Sequence, residues 1–280
     1  MILLAISITT HVIIATSITL GLLLLFPLIV QIAFGVRGVP KTWRDRVMLR
    51  YQKQWNYSAW IFAHFKTKLD PMFAELPALL KSPGSALDVG CGFGVAGCAL
   101  LEWYPELHLF GIEPARGRSR VASRVYGSRG RVFRGCAPDA LNMGLPDRLD
   151  VALMLDVTHL IPDDALAQTL QRLRTLLAAG GTLIARVNVP QPDKQTLVWH
   201  LDWMHRTLTR AKTFHRPLER TRSMFEAAGF EIVKSRISGG VPEMMWLIAK
   251  PVRVESDVST RSPDVAACDP ALSPSENAKF

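Results

Sequence analysis

The first thirty-six residues form an apolar stretch that contains no Lys, Arg, Asp or Glu. A helix that crosses a bilayer needs about 20 apolar residues, so the stretch predicts a membrane span. One long or tilted helix fits better than two spans, which would need about 40 residues and a turn, while a re-entrant hairpin stays open. A cleaved signal peptide is disfavoured, because no basic segment precedes the stretch and it exceeds the roughly 7–15 apolar residues of such peptides.

Behind this stretch, apolar runs of strand length alternate with segments of helical period. The predicted strands are a run that ends at Asp88, Leu107–Ile112, a run that begins at Arg131, Val151–Leu155, Thr182–Val189, Phe230–Ile237 and Met244–Ala249. The predicted helices are Val95–Tyr104, Ser223–Ala228 and Asp163–Ala179, the last with Asp163 or Asp164 as N-cap and Gly180-Gly181 as its stop. Such alternation predicts an α/β fold with a mostly parallel sheet, and Gly239-Gly240 predicts a closing antiparallel hairpin.

Residues 37–82, between the apolar stretch and the first strand, are rich in basic and aromatic side chains. Residues 37–53 carry six basic residues against one acidic residue, which by the positive-inside rule predicts a cytoplasmic catalytic domain and an external N-terminus. The aromatic residues suit a segment in the membrane interface, a lid over a cleft, or helices packed on the sheet. Asp70-Pro71 predicts the start of a further helix.

The most informative motif follows the first strand of the predicted sheet. Asp88 ends that strand, and three glycines at alternate positions lead into the next helix: Gly90, Gly92 and Gly94. Glycine in such a turn allows positive φ and lets a ligand lie against bare backbone. Together with Gly97, the spacing also satisfies the G-x-G-x-x-G pattern of dinucleotide sites, so the glycines alone do not choose the ligand.

The charge of Asp88 favours a cationic ligand. A pyrophosphate at this turn would be repelled by a carboxylate two residues before the first glycine. S-adenosylmethionine carries an ammonium and a sulfonium and no phosphate, so the same carboxylate attracts it. We therefore prefer a methyl donor to a nicotinamide cofactor, and a turn that binds no ligand is the third alternative.

On these residues, the stretch from about 85 to 250 resembles the class I S-adenosylmethionine-dependent methyltransferases. Their motif is an acid-x-Gly-x-Gly-x-Gly at the first strand, which Asp88, Gly90, Gly92 and Gly94 match position by position. The resemblance implies a Rossmann-like, doubly wound, seven-stranded sheet and S-adenosylmethionine bound at these four residues.

The resemblance implies further cofactor contacts at the ends of the next strands. Glu113 is expected to accept hydrogen bonds from both ribose hydroxyls. After the third strand the acid that is common in the family is replaced by Cys136, so the backbone of Cys136 and Ala137 is expected to contact adenine. Asp156 closes the fourth strand and is assigned to the cofactor site.

A catalytic base is needed only for a neutral hydroxyl or amine acceptor. Asp156 and His159 are the candidates after the fourth strand, where open α/β sheets bind ligands, and His159 is preferred because histidine titrates near neutral pH. The alternative for His159 is a hydrogen-bonded side chain at a helix start. The aromatic and histidine-containing insert between the fifth and sixth strands is expected to shape the acceptor pocket; it includes Trp199, His200, Trp203, Met204 and His205.

A second resemblance covers only residues 68–76. This short segment resembles the lead-in of bacterial methyltransferases associated with the assembly of aryl polyenes and related lipid-like pigments. It would imply an acceptor of that kind.

The net charge of +9 is unevenly distributed, and residues 116–134 carry seven arginines and no acid. Nucleic acid is a disfavoured partner, because the chain has no nucleic-acid-binding module and a membrane anchor suits such a substrate poorly. Anionic headgroups or an acidic acyl-carrier protein suit the anchor better, and a solvated basic helix is the plain alternative. The four cysteines form no C-x-x-C pair or metal pattern, so we expect reduced thiols and no structural metal.

The sequence thus predicts four segments: a transmembrane anchor (1–36), a helical lead-in (37–82), a methyltransferase domain (83–252) and a disordered tail (253–280). We expect a single-pass protein of the inner (plasma) membrane that methylates a small hydrophobic, phenolic, lipid-like or carrier-bound acceptor in the cytoplasm. The alternatives are an NAD(P)-dependent oxidoreductase and a catalytically inactive, membrane-tethered binding protein of the same fold.

Overall fold

The computed structural model describes residues 2–190 and 212–252 of the chain. In this part the helices are α1 (Ile2–Phe34), α2 (Trp43–Gln52), α3 (Tyr57–Leu69), α4 (Met72–Glu75), α5 (Val95–Trp103), α6 (Arg116–Tyr126), α7 (Asp163–Leu176) and α8 (Leu218–Ala227). The strands are β1 (Ser85–Val89), β2 (His108–Ile112), β3 (Gly130–Phe133), β4 (Leu149–Leu155), β5 (Leu177–Asn188), β6 (Phe230–Ser238) and β7 (Val241–Pro251). The predicted disordered tail lies outside the described residues.

The seven strands form one sheet in the order β3-β2-β1-β4-β5-β7-β6. Strands β1 to β5 pair in parallel, and β7 lies antiparallel between β5 and β6. This confirms the predicted doubly wound, mostly parallel sheet with a closing antiparallel hairpin. The strand order reverses between β1 and β4, and such a switch point opens a crevice at the carboxyl ends of the strands.

Both faces of the sheet are covered, because its strands are apolar on both sides. One face packs Leu153 and Ile184 against Leu100 of α5 and against the helices of the lead-in. The other face packs Leu87 and Leu183 against α7 and α8. The crevice at the switch point is therefore enclosed by two hydrophobic layers that hold its walls in place.

The junction of α7 and β5 differs from the prediction. The helix ends at Leu176, and β5 already begins at Leu177, which pairs with Leu149 of β4. Gly180-Gly181 thus lies inside the strand, because pairing with β4 replaces the last helical turn. The N-cap is Pro162, and Asp163 forms an ion pair with Arg216 (2.7 Å) rather than capping the helix.

The lead-in helices α2 to α4 pack on the sheet. This is one of the three arrangements predicted for residues 37–82. Tyr51, Trp60 and Met72 are fully buried in the same core as β1 and α5. Phe62 and Phe65 of α3 remain half-exposed and line cavities, and Trp55 is 75 % exposed. One segment thus supplies core, cavity wall and surface.

Among the described side chains of the long helix α1, those that pack on this domain lie in its last turns. Val30 is buried, and the rings of Phe26 and Phe34 pack against Tyr57 (5.5 Å) and Phe65 (5.8 Å) of α3. The described side chains from residue 14 to residue 20 are all exposed. The contacts hold the direction of α1 relative to α3.

Glu75 at the end of α4 ties the lead-in to the hairpin. Its carboxylate accepts hydrogen bonds from the indole of Trp246 (2.6 Å), the hydroxyl of Ser238 (2.7 Å) and the backbone N–H of Gly239 (3.0 Å), and Arg236 lies 3.2 Å away. Burial alone would raise the pKa of Glu75, but these donors hold it below its usual value. Stability from this group is therefore present above the ordinary glutamate pKa and is lost as the pH falls.

Replacing Glu75 with Ala should lower the free energy of unfolding by about 1–3 kcal/mol, because the indole N–H of the fully buried Trp246 loses its acceptor. Urea denaturation at pH 7 and pH 4 measures this, and the difference between the variant and the original chain should shrink at the lower pH.

The matched control is Glu106→Ala, since Glu106 is an exposed turn residue. If the two substitutions cost the same free energy at pH 7, Glu75 does not hold the hairpin in place.

Candidate active site

The glycine turn between β1 and α5 leaves its backbone bare on one side. Gly90, Gly92 and Gly94 all have positive φ (77°, 59° and 83°). A Cβ on Gly90 would lie 2.4 Å from Cγ2 of Val157, so only glycine fits at that position. A Cβ on Gly92 would meet nothing within 4 Å, because this residue borders open space. The turn therefore offers a ligand a surface without side chains.

Asp88 is buried at the end of β1, beside this turn. Within the part of the chain that the structure describes, no basic side chain or hydrogen-bond donor contacts its carboxylate. Burial, and then the negative charges of Glu113 and Asp156, raise the pKa of Asp88 to about 7. A buried carboxyl without a counter-charge is costly to ionise, so Asp88 favours a cation placed next to it.

Glu113 follows β2 and lies across the turn from Asp88. Its Oε2 accepts the backbone N–H of Gly92 (3.1 Å), and its Oε1 accepts those of Ala115 (2.9 Å) and of the Arg118 side chain (2.9 Å). A carboxylate has about four acceptor positions, so three are occupied. Hydrogen bonds to both hydroxyls of a ribose therefore require the half-exposed Arg118 to move aside, and that predicted role of Glu113 stays a prediction.

These residues surround a cavity of about 550 Å³, which we call the donor cavity. Seven of the eight residues predicted to bind the cofactor line it: Asp88, Gly90, Gly92, Glu113, Cys136, Ala137 and Asp156. The eighth, Gly94, is the N-cap of α5. Its size is ordinary for a small-molecule site. Bare backbone, a buried carboxylate without a counter-ion and a second carboxylate fit the cationic and hydroxyl groups of S-adenosylmethionine.

Asp156 sits in a cluster of four charged side chains on the donor-cavity wall. Arg186 binds both oxygens of Asp156 and both oxygens of Asp70 (2.5 and 2.7 Å). The ammonium of Lys66 lies 2.6 Å from Asp70 and 3.1 Å from Asp156. We call these residues the junction cluster. The two positive and two negative charges balance, which offsets the cost of burying Arg186.

A second cavity, of about 500 Å³, lies on the other side of the junction cluster. Its walls are mainly apolar: Phe62, Phe65, Leu69, Pro71, Val241 and Met244. Lys66 and Phe62 line both cavities, so the two spaces meet at α3. Lys66, Asp70 and Arg186 close the polar side of the second cavity.

His159, the predicted base, lies in a short 3₁₀ turn after β4 (Thr158–Leu160). Its ring stacks on that of His215, with centroids 5.4 Å apart and planes 7° from parallel. Its neighbours Val157 and Leu160 line the donor cavity. The catalytic role of His159 stays a prediction, and the insert expected to shape the acceptor pocket lies outside the described residues.

Sequence analysis missed three members of the junction cluster: Lys66, Asp70 as an ion-pair partner, and Arg186. The one local signal is Arg186 itself, a charged residue in the otherwise apolar strand β5. Such a residue requires a partner charge, but its partner Asp70 is 116 positions away. No motif spacing connects them.

Comparison with known proteins agrees with the geometry. Residues 87–183 match the family described as methyltransferase domain. No curated protein sequence matches the chain significantly.

Similar solved structures share the fold at low sequence identity. They include mitomycin 7-O-methyltransferase MmcR (17 % identity, TM-score 0.56, 79 % of this chain and 62 % of that one). An O-methyltransferase family protein from Burkholderia thailandensis has 16 % identity and a TM-score of 0.57, over 78 % of this chain and 65 % of that one. NcsB1, an O-methyltransferase from neocarzinostatin biosynthesis, has 17 % identity and a TM-score of 0.53, over 79 % of this chain and 63 % of that one.

The chain spans less than two thirds of the length of each of these structures. What they share with it is the fold, and the family match begins within β1 and ends within β5. In NcsB1 the fold was seen with S-adenosylmethionine and 2-hydroxy-5-methyl naphthoic acid. In its matched residues, its glycine turn and its strand order, this chain is similar to S-adenosylmethionine-dependent methyltransferases.

Proposed function

We propose that the chain is a membrane-anchored enzyme that transfers a methyl group from S-adenosylmethionine to an oxygen of a small hydrophobic acceptor. The observation that carries this proposal is the meeting of two cavities at Lys66. One cavity has the anionic, bare-backbone wall that a sulfonium compound needs, and the other is mainly apolar. The similar solved structures named above, which are O-methyltransferases, support oxygen as the acceptor atom.

Methyl transfer from a sulfonium is an in-line displacement, so its main requirement is alignment of the acceptor oxygen, the methyl carbon and the sulfur. When bound, S-adenosylmethionine supplies a methyl group on a positively charged leaving group. The residues of this chain bind and orient: the glycine turn and Glu113 border the donor, and Asp88 provides the negative charge near it. Phe62 and Phe65 provide apolar surface for an acceptor on the other side.

The apolar second cavity supports a hydrophobic acceptor such as a phenol, a lipid-like molecule or a carrier-bound chain. Its rim touches the anchor helix, because Phe65 lines the cavity and also packs against Phe34 of α1. An acceptor dissolved in the bilayer would therefore reach the cavity over a short apolar path along α3, where Leu69 is exposed.

The geometry of α1 supports membrane anchoring. Ile14–Phe34 is long and apolar enough to span a membrane, and almost none of it is buried in the domain, unlike a core helix. The ring contacts with α3 involve residues 26 to 34, and the described side chains of residues 14 to 20 are exposed. At 1.5 Å per residue, Ile14–Phe34 is about 32 Å long, enough to cross the hydrocarbon core.

A basic surface with an exposed indole supports contact with anionic headgroups. Trp55 borders a surface depression together with Arg120 and Arg124 of α6. The neighbouring Tyr57 packs against Phe26 of α1, so this surface lies at the level where α1 leaves the domain. Trp rings and basic side chains favour the headgroup region of a cytoplasmic leaflet. We propose the cytoplasmic face of the inner membrane as the location of the domain.

Affinity for S-adenosylmethionine should rise with pH around 7, because Asp88 must ionise to meet the cation. Below its pKa of about 7, each pH unit should weaken binding up to about tenfold. In Asp88→Asn, calorimetric titration from pH 6 to pH 8 should find weak binding without this slope. The variant should fold. A buried carboxyl of raised pKa loses stability as the pH rises and the group ionises, whereas an amide does not ionise.

Asp147→Asn is the matched control, because Asp147 is exposed and does not line the donor cavity. Equal affinity and an equal pH slope in Asp88→Asn and in the original chain would overturn the role given to Asp88. Binding without methyl transfer to any membrane extract would favour the inactive binding protein.

Lysines at exposed positions of α1 should release the chain from membranes. Ile18→Lys with Leu22→Lys places two charges in the span, and each costs about 2.5–3.5 kcal/mol at the centre of a membrane helix. Alkaline carbonate extraction should leave the original chain in the membrane pellet and move the variant to the supernatant.

Val39→Lys is the control, since Val39 is exposed and lies beyond α1. An original chain that is extracted by carbonate, or a mature protein that N-terminal sequencing finds to lack α1, would contradict the anchor.

A further inference from the structure

The junction cluster has fixed charges at neutral pH. Burial disfavours the charged form of each group, but the attraction of the opposite charges outweighs it. Arg186 and Lys66 hold the pKa values of Asp70 and Asp156 below the ordinary range. The two carboxylates in turn raise the pKa values of Lys66 and Arg186. A carboxylate of such low pKa is a poor proton acceptor, and an ammonium of raised pKa cannot accept a proton. The cluster therefore supplies no general base to an acceptor in the second cavity.

Lys66 is the one cluster cation that borders both cavities. Its ammonium has three N–H donors, and two are directed to Asp70 and Asp156. The third has no partner among the described residues, and the side chain is 27 % exposed, whereas Arg186 is buried with its guanidinium committed to two carboxylates. Lys66 thus presents one charged N–H group at the point where the methyl acceptor and the methyl donor would meet.

The charges around this point favour an anion in the second cavity. The cluster is neutral as a whole, and Lys66 is the member that lines both cavities, with a side chain 27 % exposed against 13 % for Asp70, the carboxylate that lines the second cavity. Outside the cluster, the described carboxyls that line the cavities are Asp88 and Glu113, and both belong to the donor cavity. A hydrogen bond from an ammonium to an anionic oxygen is about twice as strong as one between neutral groups.

We infer that the second cavity binds a small apolar acid, such as a phenol-like, enolic or carboxylic acceptor, and that Lys66 holds its reacting oxygen as an anion. The inference rests on the proposed function. The acceptor O–H gives its proton to water, and the oxygen anion then forms a bond to the methyl carbon while the carbon–sulfur bond breaks. The electron pair of that bond goes to sulfur, which becomes a neutral thioether, so charge and atoms balance.

This assignment explains how the product leaves. A methyl ether or ester carries no charge at the reacting oxygen, so it loses its ion pair with Lys66 on formation. The apolar rim of Phe65 and Leu69 then favours departure of the neutral product along α3 towards α1.

The test uses 7-hydroxycoumarin as a probe of the second cavity, because its neutral and ionised forms have different excitation maxima. The full chain in detergent is first saturated with S-adenosylhomocysteine, whose sulfur is neutral. The bound probe should then ionise about one pH unit or more below the free probe, and Lys66→Met should bind the anion at least about tenfold more weakly.

Two further variants separate charge from folding. Lys66→Arg keeps the charge and should retain most of the shift, whereas Lys68→Met, an exposed neighbour on α3, should behave as the original chain. Calorimetric binding of S-adenosylhomocysteine shows that each variant keeps a folded donor cavity.

The outcomes separate this inference from the proposed function. If the original chain binds neither S-adenosylmethionine nor S-adenosylhomocysteine, the proposed function fails. If it binds them but takes up only the neutral probe, or if Lys66→Met keeps donor binding and the full ionisation shift, the assignment of Lys66 is wrong while the proposed function stands.

Discussion

A carboxylate buried at the end of a central strand costs free energy unless a cation meets it, and Asp88 occupies such a position. The raised pKa of this group follows from burial and from the nearby charges of Glu113 and Asp156. The glycine turn beside it keeps side chains away, so a ligand can bring the missing positive charge within contact. Under the proposed function, the cationic methyl donor would bring this missing charge and favour the ionised form of Asp88.

A second carboxylate of the same cavity, that of Asp156, is paired with basic side chains. Asp156 lines the same cavity, where Arg186 and Lys66 satisfy its carboxylate, so its charge does not depend on a ligand. The crevice therefore has two sides. On one side the carboxyl of Asp88 has no counter-charge among the described residues, and on the other the carboxylate of Asp156 is paired and Lys66 presents its ammonium. Helix α3 is central to this division, because it supplies Lys66 to the crevice and packs Phe65 against the anchor helix.

Local signals in the sequence identify the donor side. The alternate glycines, Asp88 and Glu113 lie within one strand–turn–helix–strand unit, where spacing alone predicts their meeting. The mostly parallel sheet follows from the alternation of strands and helices. The junction cluster was not predictable in this way, because Asp70 and Arg186 meet only through the tertiary fold. The same reason explains the early end of α7: pairing of Leu177 with β4, a long-range contact, overrides a helical pattern.

The choice between a sulfonium and a phosphorylated ligand is the point on which the account depends. Calorimetric titration of the full chain with S-adenosylmethionine and, in parallel, with NADPH tests it most directly. The account predicts saturable binding of the sulfonium compound and none of the dinucleotide, whose phosphates would meet the charge of Asp88. Tight binding of NADPH without binding of S-adenosylmethionine would contradict it.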